Sequence, residues 1–134
     1  MKPKVLLMVT TVLMILHGVG IFFGASEAAK MGLPDLSADE LNMAVGAFEI
    51  AAMFNIFLAS VLISVRNTGT AALRAISKGI AIGYVFLFAG IVYHIQSLIP
   101  AQQPPVPMAG IFGALTLWAL YVAFGTKDAE AAAA

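Results

Sequence analysis

The sequence predicts an all-α integral membrane protein, a four-helix bundle that forms a single transmembrane domain over residues 1–134. Hydrophobic residues make up 61% of the chain, charged residues only 10%, and the mean hydropathy is +0.97. Soluble domains contain about 45–50% apolar and about 25% charged residues, which excludes a water-soluble globule. One crossing needs about 20 apolar residues, so this length accommodates four crossings with short connections.

The first apolar run predicts a helix over residues 5–24. Lys2 and Lys4 before it, and the small residues behind it, resemble a signal peptide. Its apolar core is longer than the 7–15 residues of a signal-peptide core, however. We therefore expect this segment to be retained as the first membrane-spanning helix.

The second helix is predicted over residues 38–65 and carries an explicit start signal. Ser37 stands at the N-cap position, and Glu40 follows three residues later, which is the pattern of a capping box. Leu36 and Leu41 flank this start with the spacing of a hydrophobic staple. The helix is therefore expected to begin directly after Ser37.

The last two helices are predicted over residues 71–99 and 107–124. Pro100 and the proline-rich segment that follows separate them, because proline this dense cannot continue a helix. Gly125 follows the final helix. The connection between these two helices is therefore short and free of charged residues.

The distribution of Lys and Arg predicts the orientation, because cytoplasmic flanks retain positive charge. Of the seven basic residues, only Lys30 lies on the side of the loop between the first two helices, together with the acidic residues of that loop. The other six basic residues lie on the other side: Lys2, Lys4, Arg66, Arg74, Lys78 and Lys127. Both termini are therefore expected in the cytoplasm.

Small residues recur at four-residue spacing within three of the helices. The pairs are Gly20 and Gly24, Gly79 and Gly83, and Gly110 and Ala114. Such positions let helix backbones approach closely. We expect these pairs to serve packing within the bundle, and a homo-oligomer interface is the alternative.

Few strongly polar side chains lie within the crossings, and each is a candidate for function because polar groups in the bilayer are costly. They are His17, Glu49, Asn55 and His94. From the predicted ends, His17 lies roughly 10 Å, Glu49 roughly 13–16 Å and His94 roughly 7 Å below the outer surface. We expect these three to form a shared pocket in the outer half of the bilayer.

Further residues are assigned to this pocket from their positions in the predicted helices. Met14 and Met53 lie about one helical turn from His17 and Glu49, Tyr93 directly precedes His94, and all three are expected to line the pocket. Asn55 is rotated about 120° from Glu49 around the helix and is expected to lie apart from it. The predicted cofactor-binding residues are therefore His17, Glu49, His94, Tyr93 and Met53, with no catalytic or metal-binding residue assigned.

Several chemistries fit these residues. The histidines can be structural, and a carboxyl beside an imidazole can relay protons or bind the carbonyl groups of a quinone. His17 and His94 can instead hold haem b as axial ligands, or Glu49 can serve a proton-coupled transporter. Two histidines and a glutamate also match a catalytic zinc set, but the local spacing of such sites is missing.

Other classes of function are excluded. The chain has no cysteine, which excludes thiol catalysis. Seven basic residues balance seven acidic ones, so the chain lacks the basic excess of a nucleic-acid-binding protein. The expected partners are the lipid bilayer, a second copy of the chain or another subunit of a membrane complex.

The motifs GAFEIAAMFNIFLASVL and GYVFLFAGIVYHIQ, with a proline-rich loop before the last helix, resemble the DoxX-like family of small four-helix membrane proteins. The likeness covers residues 5–124. Gly46 and Glu49 match a Gly-x-x-Glu of that family, and His94 matches a histidine near the outer end of its third helix. Lys2 and Lys4 stand before the first helix, where many relatives carry an arginine within it.

This resemblance implies a location in the bacterial inner membrane. Some members of the family are linked to quinone-dependent oxidation of sulfur compounds, and many have no assigned activity. We therefore expect an accessory or quinone-linked redox subunit rather than an independent enzyme, with a quinone preferred to haem b as its cofactor.

Overall fold

The computed structural model describes residues 3–98, 104 and 106–125, and these form four α-helices. The helices are α1 (Pro3–Gly32), α2 (Ala38–Ser64), α3 (Thr70–Ser97) and α4 (Val106–Leu120), and a π-helical turn (Tyr121–Gly125) continues α4. Four segments are long and apolar enough to cross a membrane, the fourth being α4 together with its π-helical turn. The predicted fold class is confirmed, and the chain is a multi-pass membrane protein.

The end of α1 differs from the prediction, because α1 continues to Gly32 instead of ending at residue 24. The apolar run ends there, but alanine favours the helix and lets it continue. Ala25 and Ala29 are buried on this extension, and Lys30 pairs with Glu27 one turn earlier at 3.1 Å. Helix propensity therefore extends α1 beyond the point where hydropathy falls.

The predicted start of α2 is confirmed. The Ser37 backbone N–H donates to the Glu40 carboxylate at 2.9 Å, and the Glu40 N–H donates to Ser37 Oγ at 3.5 Å. These two bonds form the capping box, and the Ser37 hydroxyl also donates to Glu40.

Three residues named in the sequence analysis lie outside the described residues: Lys2, Pro100 and Lys127.

The helices pack in two pairs. α1 packs along α2, and α3 packs along α4, while the two pairs meet through α1 and α3. In α2, only Ala52 and Ala59 are buried, so most of that helix faces outward. The bundle is therefore open on the side of α2.

The close approaches of the helices occur at glycines outside the predicted pairs. A Cβ at Gly18 would lie 2.9 Å from the Ala52 carbonyl oxygen, and one at Gly113 would lie 3.2 Å from the Phe88 ring. At the predicted glycines the same test finds no neighbouring atom within 4 Å: Gly20, Gly24, Gly79, Gly83 and Gly110. The expected packing role of those glycines within the chain is wrong, because their faces point away from the described neighbouring helices.

A buried hydrophobic cluster joins α1, α3, α4 and the π-helical turn near the first turns of α1. Its buried residues are Leu6, Ala81, Tyr84, Ala119 and Val122. Two threonines bind to Tyr84 here: Thr10 Oγ1 lies 3.3 Å from the Tyr84 hydroxyl, and Thr116 Oγ1 donates to its backbone carbonyl at 3.1 Å. This cluster fixes the positions of α1 and α3 relative to each other.

Candidate functional site

His17 lies on the side of α1 that α3 contacts. It follows Thr10 by seven residues, which is two helical turns, so the two share a face. Thr10 is buried against Tyr84 of α3, whereas His17 is exposed. The contact between α1 and α3 therefore covers Thr10 and leaves His17 uncovered.

His94 is also exposed, near the end of α3. It is rotated about 120° from Phe88, the residue that contacts α4, so it lies on a side of α3 that α4 does not cover. The neighbouring Tyr93 ring meets the His94 ring edge to face, with 5.6 Å between centroids, and is 64% exposed. Both aromatic side chains are therefore accessible from outside the bundle.

The depths of the two histidines can be compared through the contact between Thr10 and Tyr84. His17 lies roughly 10 Å beyond that contact along α1, and His94 roughly 15 Å beyond it along α3. Because α1 and α3 cross the membrane in the same direction, the two imidazoles differ by roughly 5 Å in depth. They lie on neighbouring helices at similar levels.

Glycines accompany both histidines. Gly20 and Gly24 share the face of His17 on α1, and Gly83 and Gly90 share the face of His94 on α3. No atom lies within 4 Å of a Cβ built at any of these four glycines. We call these two surfaces the glycine–histidine faces, and both are left open by the described part of the chain.

Glu49 lies on the other side of the α1–α2 pair from His17. α1 and α2 are antiparallel and meet at Gly18 and Ala52. His17 precedes Gly18 by one residue and Glu49 precedes Ala52 by three, so they are rotated from the contact by about 100° and about 60° in opposite senses and point to opposite sides of the pair. Glu49 is half-buried beside α1, and it lies at least roughly 5 Å nearer to the α1–α2 loop than His17.

The depth estimate made from sequence depended on where α1 ends. With α1 extended to Gly32, His17 lies roughly 22 Å from that end instead of roughly 10 Å. Across residues 3–98 and 106–125, no hydrogen bond or salt bridge joins His17, Glu49 and His94, and no group of three His, Cys, Asp or Glu side chains could hold a metal. Ligand binding by these residues stays a prediction.

Asn55 lies where sequence reasoning did not expect it. Its Cβ is 3.2 Å from the position of a Cβ at Gly18, so it is level with His17. It follows Ala52 by three residues, so it is rotated about 60° from the α1 contact in the same sense as His17 and lies on the same side of the pair. Its amide donates to the Ala51 carbonyl at 2.9 Å, and its side-chain oxygen is an additional acceptor. In the sequence, the position of Asn55 was compared only with that of Glu49, so its closeness to the level of His17 was missed.

Met53 belongs to the outward face of α2. It is 50% exposed and lines a shallow, apolar groove of about 390 Å³ together with Ile50, Phe54 and Phe57. All four residues come from one helix, at the spacing of a single helical face. Met14 is half-buried on α1.

Comparison with family models, with curated proteins and with solved structures finds no match to this chain. The side chains that require explanation are the intramembrane imidazoles of His17 and His94 and the carboxyl of Glu49.

Proposed function

We propose that the protein is an accessory membrane subunit that binds a quinone-like lipid between the glycine–histidine faces of α1 and α3. The observation that supports the proposal is that His17 and His94 are exposed within membrane-spanning helices and have no side-chain hydrogen bond to the described part of the chain. In lipid no water satisfies such groups, so each imidazole needs a partner that the described part of the chain does not supply.

A quinone fits these faces chemically. Each neutral imidazole has one N–H donor, and a quinone ring has two carbonyl acceptors. The uncovered glycines leave room for a flat ring to approach the helix backbones. Small-molecule sites generally combine an apolar lining with few polar groups, and the spans supply that lining.

The types of side chain at the site support an accessory role. The described residues contain no cluster of three metal-ligating side chains, and the chain has no cysteine. Binding and positioning of a lipid-soluble ligand is the chemistry that two imidazoles support. Another subunit would supply any catalytic centre. The resemblance to the DoxX-like family supports this role and also supports a location in the bacterial inner membrane. The distribution of Lys and Arg supports cytoplasmic termini.

Haem b is the second candidate, and one observation favours it. His17 and His94 lie on neighbouring helices at depths that differ by only roughly 5 Å, as two axial ligands require. A Soret absorption band in the purified protein that is lost in both His17→Ala and His94→Ala would identify haem b, and not a quinone, as the ligand.

Titration of the protein in lipid nanodiscs with decylubiquinone tests the proposal. One hydrogen bond contributes about 0.5–1.5 kcal/mol, so His17→Ala and His94→Ala should each weaken binding by about 2- to 12-fold. Glu49→Gln is the matched control on the other side of α1 and α2, and it should leave the affinity unchanged.

The control also distinguishes the proposed site from the pocket predicted by sequence. If Glu49→Gln weakens binding as much as His17→Ala, all three side chains share the ligand. If neither histidine variant changes the affinity, the proposed site is wrong.

A further inference from the structure

All of the described charged side chains at one end of the bundle are basic. At this end α1 and α3 begin, α2 ends and the π-helical turn follows α4. The basic residues described there are Lys4, Arg66, Arg74 and Lys78. The described acidic residues all lie between positions 27 and 49, in the last turns of α1, in the α1–α2 loop or in the first half of α2. The described part of this end is therefore positively charged.

Lys4 and Arg66 lie at the same depth in the bundle. α1 and α2 are antiparallel and meet at Gly18 and Ala52. Lys4 precedes Gly18 by 14 residues, and Arg66 follows Ala52 by 14 residues. Both are therefore displaced from this contact by roughly 21 Å in the same direction.

Lys78 lies at this depth as well. The contact between Thr10 and Tyr84 joins α1 to α3, which run in the same direction. Lys4 precedes Thr10 by six residues, and Lys78 precedes Tyr84 by six residues, so both lie roughly 9 Å from the contact. Lys4, Arg66 and Lys78 therefore form a set at one level, which we call the basic ring.

The basic ring is accessible and extends across both helix pairs. All three side chains are exposed, and none forms a salt bridge with a carboxylate of the described residues. Lys4 lies on the α2 side of α1, because it is within about 40° of Gly18 around the helix. Lys78 belongs to the other pair, where its ammonium nitrogen is 5.8 Å from the centre of the Phe124 ring.

The ring lies where the membrane spans end. α1 begins one residue before Lys4, and α2 ends two residues before Arg66. The π-helical turn beside Lys78 carries Tyr121, which is 57% exposed, and tyrosine is enriched at the interface between membrane and water. The Arg66 guanidinium donates to the Ile63 carbonyl at 3.3 Å and has further N–H donors. The three basic groups are therefore at the level of lipid headgroups, whose phosphates accept hydrogen bonds from ammonium and guanidinium groups.

We propose that the basic ring binds the phosphate groups of anionic phospholipids in preference to zwitterionic lipids. Their net negative charge is complementary to an end of the bundle at which every described charge is positive. The ring is divided between the two helix pairs, so one small anion or one acidic peptide reaches only part of it, whereas lipids surround the whole bundle. The proposal depends neither on quinone binding nor on the orientation of the chain, because lipid headgroups border the bundle at both ends.

Electron spin resonance of spin-labelled lipids tests the proposal on the full chain in liposomes, because it measures the lipids that contact the protein. A basic residue near the membrane surface contributes about 1 kcal/mol, which is about 5-fold in affinity for an anionic lipid. Phosphatidylglycerol should therefore associate with the wild type up to about 5-fold more strongly than phosphatidylcholine. The Lys4→Gln, Arg66→Gln, Lys78→Gln triple variant should lose most of this preference. Salt at about 1 M should weaken it in the wild type, because the Debye length falls to about 3 Å.

Two matched variants separate the ring from general effects of charge and folding. The Lys4→Arg, Arg66→Lys, Lys78→Arg variant keeps every charge and should keep the preference. Lys30→Gln removes a basic residue at the other end of the bundle, where Lys30 pairs with Glu27, and should also keep it. A wild type without a preference, an equal loss in Lys30→Gln and the triple variant, or displacement of phosphatidylglycerol by inorganic phosphate at constant ionic strength would overturn the proposal.

The acidic residues of the C-terminal segment, Asp128 and Glu130, lie outside the described residues. The Asp128→Asn, Glu130→Gln variant tests whether they neutralise the ring in place of lipid. Its preference for phosphatidylglycerol should equal that of the wild type. A preference that appears only in this variant would overturn the proposal, because acidic residues of the chain would then occupy the ring.

Discussion

Gly18→Ala should weaken the contact between α1 and α2. The added Cβ would lie 2.9 Å from both the Ala52 carbonyl oxygen and Ile56 Cγ1, at least 0.5 Å inside the ordinary contact range of 3.4–4 Å. The carbonyl belongs to the α2 backbone, so the helices themselves must separate. Overpacking of this kind costs about 1–3 kcal/mol.

Gly20→Ala is the matched control, because a Cβ at Gly20 meets nothing within 4 Å. Both substitutions gain the same helix propensity, about 1 kcal/mol, so it cancels in their difference. Steric trapping in bicelles should therefore give an unfolding free energy about 1–3 kcal/mol lower for Gly18→Ala than for Gly20→Ala. Equal values, or a larger loss at Gly20, would refute the helix packing described above.

Two further predictions follow from named contacts, and a third follows from the distribution of basic residues. Tyr84→Phe removes the hydroxyl that binds Thr10, so the free energy of unfolding by steric trapping should fall by about 0.5–1.5 kcal/mol; an unchanged value would mean that this bond adds no stability. Ser37→Ala removes the N-cap of α2 and should cost about 1 kcal/mol in the same assay, with Ser37→Asp, which keeps a capping oxygen, as the control. A reporter fused to the C-terminus should be active in the cytoplasm, since the basic residues concentrate on that side, and periplasmic activity would reverse the proposed orientation.

Local signals predicted the helices well. Hydropathy alone located four spans, and the side-chain oxygen of Ser37 with Glu40 fixed the first residue of α2. The end of α1 was missed because hydropathy falls at Gly24, while alanines continue the helix to Gly32. That error displaced the estimated depth of His17.

Four-residue glycine spacing shows that a helix face carries small residues, but it does not show whether another helix packs against that face. Gly18 belongs to no four-residue glycine pair, yet α1 and α2 approach each other there. A signal for this contact exists: Gly18 and Ala25 are seven residues apart on α1, as are Ala52 and Ala59 on α2. Matching small residues between helices, rather than within one, would have located the contact.

The candidate site was predicted in part. The sequence estimate of the depth of His17 used the wrong end of α1, and the direction of each side chain depends on which face of α1 meets α2. That choice is made by tertiary packing, which separates Glu49 from His17 and brings Asn55 to the level of His17. The buried Tyr84, with its threonine partners, is equally a product of helix packing that one sequence does not reveal.

The identity of any ligand carried by the purified protein tests the central claim most directly. Solvent extraction of protein isolated from its native membrane in mild detergent, followed by chromatography and mass spectrometry, measures this content. We expect a quinone in near-stoichiometric amount in the wild type and in Glu49→Gln, and clearly less in the His17→Ala, His94→Ala double variant. Wild-type protein that carries no quinone, or a double variant that retains the full amount, would contradict the proposed function.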